Sequence, residues 1–300
     1  MKKILFFLTL VLMLAPSCDK LGKDGRLKKQ IDWSKWYNDD QNADDGLPSI
    51  MIMSSNVRYG SASETLEQDN WVNRRGAYCA MVNTMQPVLM GVQECQGNQR
   101  TDILNACPGY DCVGRSRDNT ANGEQVAIFY RTDLVTIDDW GTFWLTDTPD
   151  QVSKHPSAGH YRCATWAKVT HIQTGSTFYH INTHLDLNDV RGFEMDVIMS
   201  FIGSKCGTLP VVLTADWNTT DDDPIFNEMY LTFSNARNTA FTGDAYGTFN
   251  GFTNANSTTR IDHVFYRGFS SCAKFITVRQ QWEGHKFISD HYPVYAIMKF

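Results

Sequence analysis

Acidic, amide and imidazole side chains recur at the ends of apolar runs in this sequence. Asn56 closes the first run, and Glu94 follows the second. Glu124 opens the third. His184 and Asp186 follow a pair of alternating runs, and Asp216 and Asn218 follow another. Asp262 sits inside Ile261-Asp262-His263, and Asp290 and His291 precede the last run. One Asp or Asn at such a place usually caps a turn, and a lone Glu or His there is usually a solvated or satisfied residue. The set carries more than its members. Carboxylate and amide oxygens are what a hard cation such as Mg²⁺ requires. Imidazoles beside carboxylates are what general acid–base chemistry requires.

These side chains need strands to hold them. Ser49 to Met53, Val88 to Val92 and Gln125 to Tyr130 read as buried strands. Thr165 to Val169 and Thr177 to Asn182 read as a pair joined by a turn at Thr174-Gly175. Pro210 to Thr214, Ile261 to Tyr266, Phe275 to Gln281 and Pro293 to Lys299 complete the set. Tyr78, Met81, Val82 and Met85 have helical spacing, and Pro87 stops that helix. Val190, Phe193, Val197 and Phe201 mark the face of a second helix, which Asn188 or Asp189 is placed to cap. Many strands adjoin without a helix between them. Two mixed sheets with helices outside fit better than one parallel sheet.

Seven segments now resemble a known family: Ser54-Ser-Asn-Val-Arg-Tyr59, Gly91-Val-Gln-Glu-Cys95, Gly123-Glu-Gln-Val-Ala-Ile-Phe-Tyr-Arg131, Asn182-Thr-His-Leu-Asp186, Thr214-Ala-Asp-Trp-Asn218, Arg260-Ile-Asp-His-Val264 and Ser289-Asp-His-Tyr-Pro293. In order and spacing they are similar to the endonuclease/exonuclease/phosphatase superfamily, the DNase I-like group, from about Ile50 to Tyr295. Ala215 and Trp217 depart from the usual Gly and Phe while keeping both polar residues, and Trp217 is expected to alter the pocket wall.

The resemblance implies a four-layer α/β sandwich, two mixed sheets face to face with helices outside. It also implies a metal-dependent phosphoesterase site at one sheet edge, with Mg²⁺, or Mn²⁺ in its place, as cofactor. By motif, Glu94 is the main metal ligand, Asn56 helps hold the metal or the phosphate, and Asp290 joins the metal and water network. Asp216 orients or deprotonates the attacking water, and Asn218 donates to the phosphate. His291 contacts the scissile phosphate with Asp262 as partner, and His184 is expected to pair with Glu124. Arg162, in Tyr161-Arg162-Cys163, resembles the family's phosphate-binding Arg. The chemistry is consistent: a divalent cation neutralises an equatorial oxygen, a carboxylate orients water in line, and His⁺ and Arg stabilise the added charge.

The chain has 300 residues, 42% of them hydrophobic and 20% charged, so it can bury a sizeable core and is not a disordered or collagen-like protein. Net charge is −6, which argues against holding nucleic acid by a general basic surface. Lys2 and Lys3 precede an apolar run to Ala15, shorter than the roughly 20 residues of a membrane span. With Leu14-Ala15-Pro16-Ser17-Cys18 it resembles a bacterial lipoprotein signal over residues 1–18, with Cys18 lipidated. Residues 19–47 read as a tether, in which Trp33, Trp36 and Tyr37 could dock on the domain, and 48–300 as the enzyme domain. An exported monomer anchored to a membrane, on the periplasmic side or cell surface, is the expectation. Among the seven later cysteines, Cys107 and Cys112 flank Pro108-Gly109 and form the best candidate disulfide. Small buried thiols are the commoner outcome.

The substrate class stays open: nucleic acid, nucleotide, phospholipid head group or sugar phosphate. Asn70-Trp-Val-Asn-Arg-Arg75 is a basic and aromatic cluster that reads as a helix start with solvated Arg residues. Thr248-Phe-Asn-Gly-Phe252 offers aromatics that could stack a base or sugar. The alternative is a catalytically silent surface binding module on the same fold, or an adhesin. Loss of Asp216 or His291 would favour it, and both are present.

Overall fold

The computed structural model describes residues 48–300. The expected signal peptide, Cys18 anchor, tether and docking aromatics lie outside the described residues. Among the described residues, thirteen strands run in chain order: β1 (Ser49–Asn56), β2 (Leu89–Cys95), β3 (Tyr110–Val113), β4 (Gln125–Arg131), β5 (Val135–Trp144), β6 (Cys163–His171), β7 (Thr177–His184), β8 (Val211–Asp216), β9 (Ser234–Asn235), β10 (Thr242–Gly243), β11 (Asp262–Arg267), β12 (Ser271–Thr277) and β13 (Val294–Lys299). One sheet has the order β10-β12-β13-β1-β2-β4-β3, and the other β5-β6-β7-β8-β11-β9. Both are mixed. β1 runs parallel to β2 and antiparallel to β13, and β7 runs parallel to β8 while β8 and β11 are antiparallel.

Alternation along β1 explains the layering. Ile50 and Ile52 face the second sheet, in a core with Phe178, Val212 and Val264. Met51 and Met53 face outward onto helix α1 (Trp71–Met85), against Tyr78, Val82 and Met85. Helix α2 (Gly97–Ala106) joins the same outer layer. Helix α3 (Arg191–Phe201) covers the far side of the second sheet through Met195 and Ile198. A strand apolar on both faces is buried on both faces. The expected four-layer sandwich is the observed architecture.

Local expectations meet mixed outcomes. Gln86, in the left-handed conformation before Pro87, ends α1. Strands β3 and β5 and helix α2 lie outside the expected elements; α2 carries few apolar residues and is fixed by a reciprocal cap between Gln96 and Gln99. Asn188 does not cap α3. Its Oδ1 accepts from the Val190 N–H (3.1 Å), an Asx turn before the helix. Strand β12 ends at Thr277, short of Gln281.

Three expectations differ from the structure. Arg74 is buried rather than solvated. It donates to the carbonyls of Val57, Arg58, Asp69 and Ile288 at 2.7–3.0 Å, tying the end of β1 to the segment before Asp290. Burial lowers its pKa to about 10, which still leaves it charged at neutral pH. Trp217 is fully buried against Phe226 and Phe265 and forms no pocket wall. Cys107 and Cys112 are not bonded, and the seven described cysteines are buried free thiols; Cys107 Sγ approaches the Cys79 carbonyl at 3.8 Å instead.

A polar seam joins the sheets beneath the strand ends. Gln93 Nε2 donates to Asn182 Oδ1 (2.7 Å) and Ser54 Oγ (3.1 Å). Asn182 Nδ2 donates to the carbonyls of Val92 and Ala127, and Thr214 Oγ1 to Asn182 Oδ1. His180 Nε2 meets Thr214 Oγ1 at 2.8 Å, and burial pulls the His180 pKa down to about 3, so the imidazole is neutral. Gly91 makes the seam possible: a Cβ there would overlap Thr214 Oγ1 and Asn182 Oδ1. Gln93 Oε1 and His180 Nδ1 have no partner in the described structure, and the remaining buried hydrogen bonds fix the relative position of the sheets.

Candidate active site

Parallel pairing of β1 with β2 and β7 with β8 puts four strand C-termini at one edge of the sandwich. Asn56, Glu94, His184 and Asp216 stand at those ends. Antiparallel β11 brings in Asp262 opposite Asp216, since its N-terminus lies at the same edge. Asp290 and His291 arrive from the turn before β13.

Glu94 needs a local irregularity to face the cleft. It lies where the register of β2 against β4 slips, with φ of 59°. A bulge of this kind re-aims a side chain. Arg58, Asn218 and Phe252 also line the cleft with positive φ, at 54°, 52° and 57°. Non-glycine residues in this region cost about 1 kcal/mol or more each, and such strain gathers at functional sites.

Asp216 is the centre of the hydrogen bonding. Its Oδ2 accepts from Asn56 Nδ2 (3.0 Å) and lies 3.4 Å from His184 Nε2 and 3.6 Å from His291 Nε2. Its Oδ1 accepts from the Asn218 N–H (3.0 Å). Asn56 Nδ2 also reaches Glu94 Oε1 (3.0 Å), and the Tyr59 N–H donates to Glu94 Oε2 (2.9 Å). His291 Nδ1 lies 2.9 Å from Asp262 Oδ2. The Thr248–Phe252 loop braces this side. Thr248 Oγ1 accepts from the N–H groups of Ile261 and Asp262, and the Asn250 N–H donates to the Asp290 carbonyl. Phe249 packs edge-on to the His291 ring, 5.1 Å between centroids.

The two imidazoles are driven to opposite states. Burial opposes charging of His291, but the Asp262 and Asp216 carboxylates outweigh it and hold the ring well above the ordinary histidine range. Burial, then the charges of Arg162 and Arg117, hold His184 well below that range. Neutral His184 therefore accepts from Asn218 Nδ2 (3.0 Å) through Nε2. Burial pushes the Asp216 carboxyl up to about 7 in spite of His291 beside it. Environments that split like groups in this way separate acid from base roles.

The donors present suit a hard divalent cation. Glu94, Asp216 and Asp290 bring carboxylates to one cleft. Burial pushes the Asp290 carboxyl up, His291 pulls it back and the Glu94 charge pushes it up again, a repulsion a cation would relieve. Asp216, Asp262 and His291 also offer atoms within 4.8 Å of one another. There His291 Nδ1 is already engaged by Asp262, so that trio reads as a hydrogen-bonded relay.

The expected residues converge, Glu124 included, and the exception is one pairing. Asn56, Glu94, His184, Asp216, Asn218, Asp290 and His291 line or adjoin one cleft of about 690 Å³, and Asp262 stands behind His291. Arg162 lines it too, 3.5 Å from Asp186 Oδ2. The expected pairing of Glu124 with His184 is not formed. Glu124 Oε1 accepts from Arg117 Nη2 at 2.7 Å, because Arg117 is presented by the same loop. Arg58, Arg117 and His160 are cleft residues that sequence reasoning passed over. Arg58 adjoins the Asn56 motif and pairs with Glu64 (2.8 Å), with Asp290 3.6 Å away; its position beside that motif was the available signal.

Comparison with known proteins gives the same grouping. The model of the Endonuclease/Exonuclease/phosphatase family matches residues 53–291. A crystal structure of an endonuclease/exonuclease/phosphatase family protein from Bacteroides thetaiotaomicron is 29% identical, with a TM-score of 0.79, over 85% of this chain and 98% of that one. The mannosyl-6-phosphatase of Bacteroides thetaiotaomicron VPI-5482 is 29% identical, with a TM-score of 0.77, over 84% of this chain and all of that one. An uncharacterized protein of Acanthamoeba polyphaga mimivirus is 22% identical over 269 residues, 83% of this chain and 100% of its own length. Motif order, two facing mixed sheets and the cleft at their shared edge thus agree with these matches, and the chain belongs to the endonuclease/exonuclease/phosphatase family.

Proposed function

We propose that this protein is a divalent-metal-dependent phosphoesterase, using Mg²⁺ or Mn²⁺, that hydrolyses a phosphate ester by in-line attack of water. The observation that carries the reading is the setting of Asp216 Oδ2: it accepts from Asn56 Nδ2 at 3.0 Å and lies 3.6 Å from Nε2 of charged His291, with the neutral His184 ring beside it. Such a carboxylate is held in place to orient water and accept its proton as the water oxygen bonds phosphorus and the ester P–O bond breaks. His291, positively charged and braced by Asp262, donates from Nε2 to the phosphate or the departing oxygen. Arg162 supplies a further donor to phosphate oxygens, whereas both N–H groups of Asn218 Nδ2 are taken by His184 Nε2 and the Leu185 carbonyl, so Asn218 fixes His184 instead of the phosphate. Glu94, Asp290 and Asn56 are the residues that would hold the cation, which supplies charge neutralisation at phosphorus when bound.

A sugar phosphate stands first among the substrate classes, because the mannosyl-6-phosphatase matches at 29% identity across all of its length and 84% of this chain. Export and membrane anchoring through Cys18 belong to the same reading. The apolar run from Ile4 to Ala15 ending at that cysteine supports them, and no described helix is long and apolar enough to cross a membrane.

The test is a hydrolysis screen with Mg²⁺ or Mn²⁺, and EDTA as control. It covers bis-p-nitrophenyl phosphate, p-nitrophenyl phosphate, single-stranded nucleic acid, sphingomyelin and hexose phosphates. Turnover that EDTA abolishes, and that Asp216→Asn reduces at least 100-fold in kcat with an unchanged melting curve, is the expected result. Inert protein under every condition returns the reading to a silent binding module.

A further inference from the structure

Freed from His184, Glu124 belongs to a structure of its own. Its ion pair with Arg117 is 2.7 Å long, and both side chains are less than one-fifth exposed. The backbone fixes the pair twice before the side chains meet. The Arg117 N–H donates to the Glu124 carbonyl (2.9 Å), and the Arg117 carbonyl accepts from Nε1 of buried Trp144 (2.7 Å). Glu124 Oε2 makes no hydrogen bond among the described residues. Arg162 shares this flank at 5% exposure, and its Nη1 is buried with no hydrogen-bond partner in the described structure. A buried guanidinium N–H left open at a cleft wall is a position that a ligand satisfies.

The charge pattern selects the ligand. Glu124 offsets Arg117, and Asp186 faces Arg162, so this flank carries paired charge rather than a net cation. A second phosphate or carboxylate would meet carboxylates as well as guanidiniums. A hydroxyl donates to one group and accepts from the other at once, so it matches an Arg–Glu pair. The aromatic rings Phe249 and Phe252 lie in a separate loop beside His291, and the cleft, at about 690 Å³, is larger than a phosphate ion needs.

We infer that Arg117 and Glu124 are specificity residues that read hydroxyl groups of the leaving group, and that the substrate is a phosphate ester of a sugar or polyol. This rests on the phosphoesterase reading. The test compares kcat/KM for mannose 6-phosphate and glucose 6-phosphate with that for p-nitrophenyl phosphate, whose leaving group has no further hydroxyl. It uses the wild type, Glu124→Gln and Arg117→Ala. Glu124→Gln keeps the shape and one hydrogen bond to Arg117, so its folding is not at issue. Both variants are expected to lower the ratio of hexose phosphate to p-nitrophenyl phosphate at least tenfold, with the change in KM. An unchanged ratio, or an equal fall in kcat for both esters, overturns the inference and returns Glu124 to shared chemistry. Wild-type protein that cleaves p-nitrophenyl phosphate but no hexose phosphate also overturns it. Inactivity towards every ester overturns the phosphoesterase reading itself.

Discussion

Asp262 holds His291. The carboxylate Oδ2 lies 2.9 Å from Nδ1, both residues are buried, and the contact turns Nε2 towards Asp216, 3.6 Å away. A neutral amide at position 262 would keep the shape but lose the charge that favours imidazolium. Asp262→Asn is therefore expected to lower kcat roughly 100-fold or more, with KM little changed. Steady-state kinetics beside a melting curve checks it. A kcat within twofold of wild type would remove Asp262 from the mechanism.

Glu94 is aimed by a bulge and a positive φ, and both its oxygens are already oriented, by Asn56 and by the Tyr59 N–H. Glu94→Ala should raise the Mg²⁺ concentration for half-maximal activity roughly 100-fold. Activity titrated with Mg²⁺ after EDTA treatment reads this directly. Superimposable titrations would strike Glu94 from the ligand set.

Gly91 sits where the two sheets meet with no room for a side chain. A methyl group there must displace Thr214 or Asn182, which hold the polar seam together. Overpacking combined with broken buried hydrogen bonds should destabilise Gly91→Ala by about 3 kcal/mol. In a domain of this size that lowers Tm by about 6 °C or more. Thermal melting checks it, and an unaltered Tm would mean that the seam relaxes without cost.

Glu194 is fully buried on α3. Its Oε2 accepts from the Asp186 N–H (2.8 Å), and its Oε1 has no partner in the described structure. Burial pushes its carboxyl up to about 7. A carboxyl raised in the folded state binds its proton more tightly there than in the unfolded chain. Its contribution is whole below about pH 4.5 and is lost as pH rises through 7. Wild-type stability should fall by about 3 kcal/mol more than that of Glu194→Gln between pH 4.5 and 8. Urea melts at several pH values measure the difference. Parallel profiles would show that Glu194 keeps an ordinary pKa.

The sequence by itself determined the strands that alternate or run apolar, the order of the seven motifs and the identity of most polar groups at the cleft. Strand ends are legible where an apolar run gives way to charged or amide residues, as at Asn56 and Asp216, although Gln93 and Asn182 lie inside β2 and β7. Pairing was not legible. Glu124 and His184 both reach the cleft, yet Arg117 captures Glu124 because one loop carries both partners, a fact of three-dimensional packing. Arg74 read as a surface charge, since the carbonyl acceptors that bury it include Ile288, far away in the chain. Trp217 read as pocket wall until Phe226 and Phe265 enclosed it. Residue type fixes which chemistry is available, but only the closing of the two sheets sets which groups share a low-dielectric space. That sharing decides why His291 is charged and His184, which comes from the facing sheet and also lies beside Asp216, is neutral.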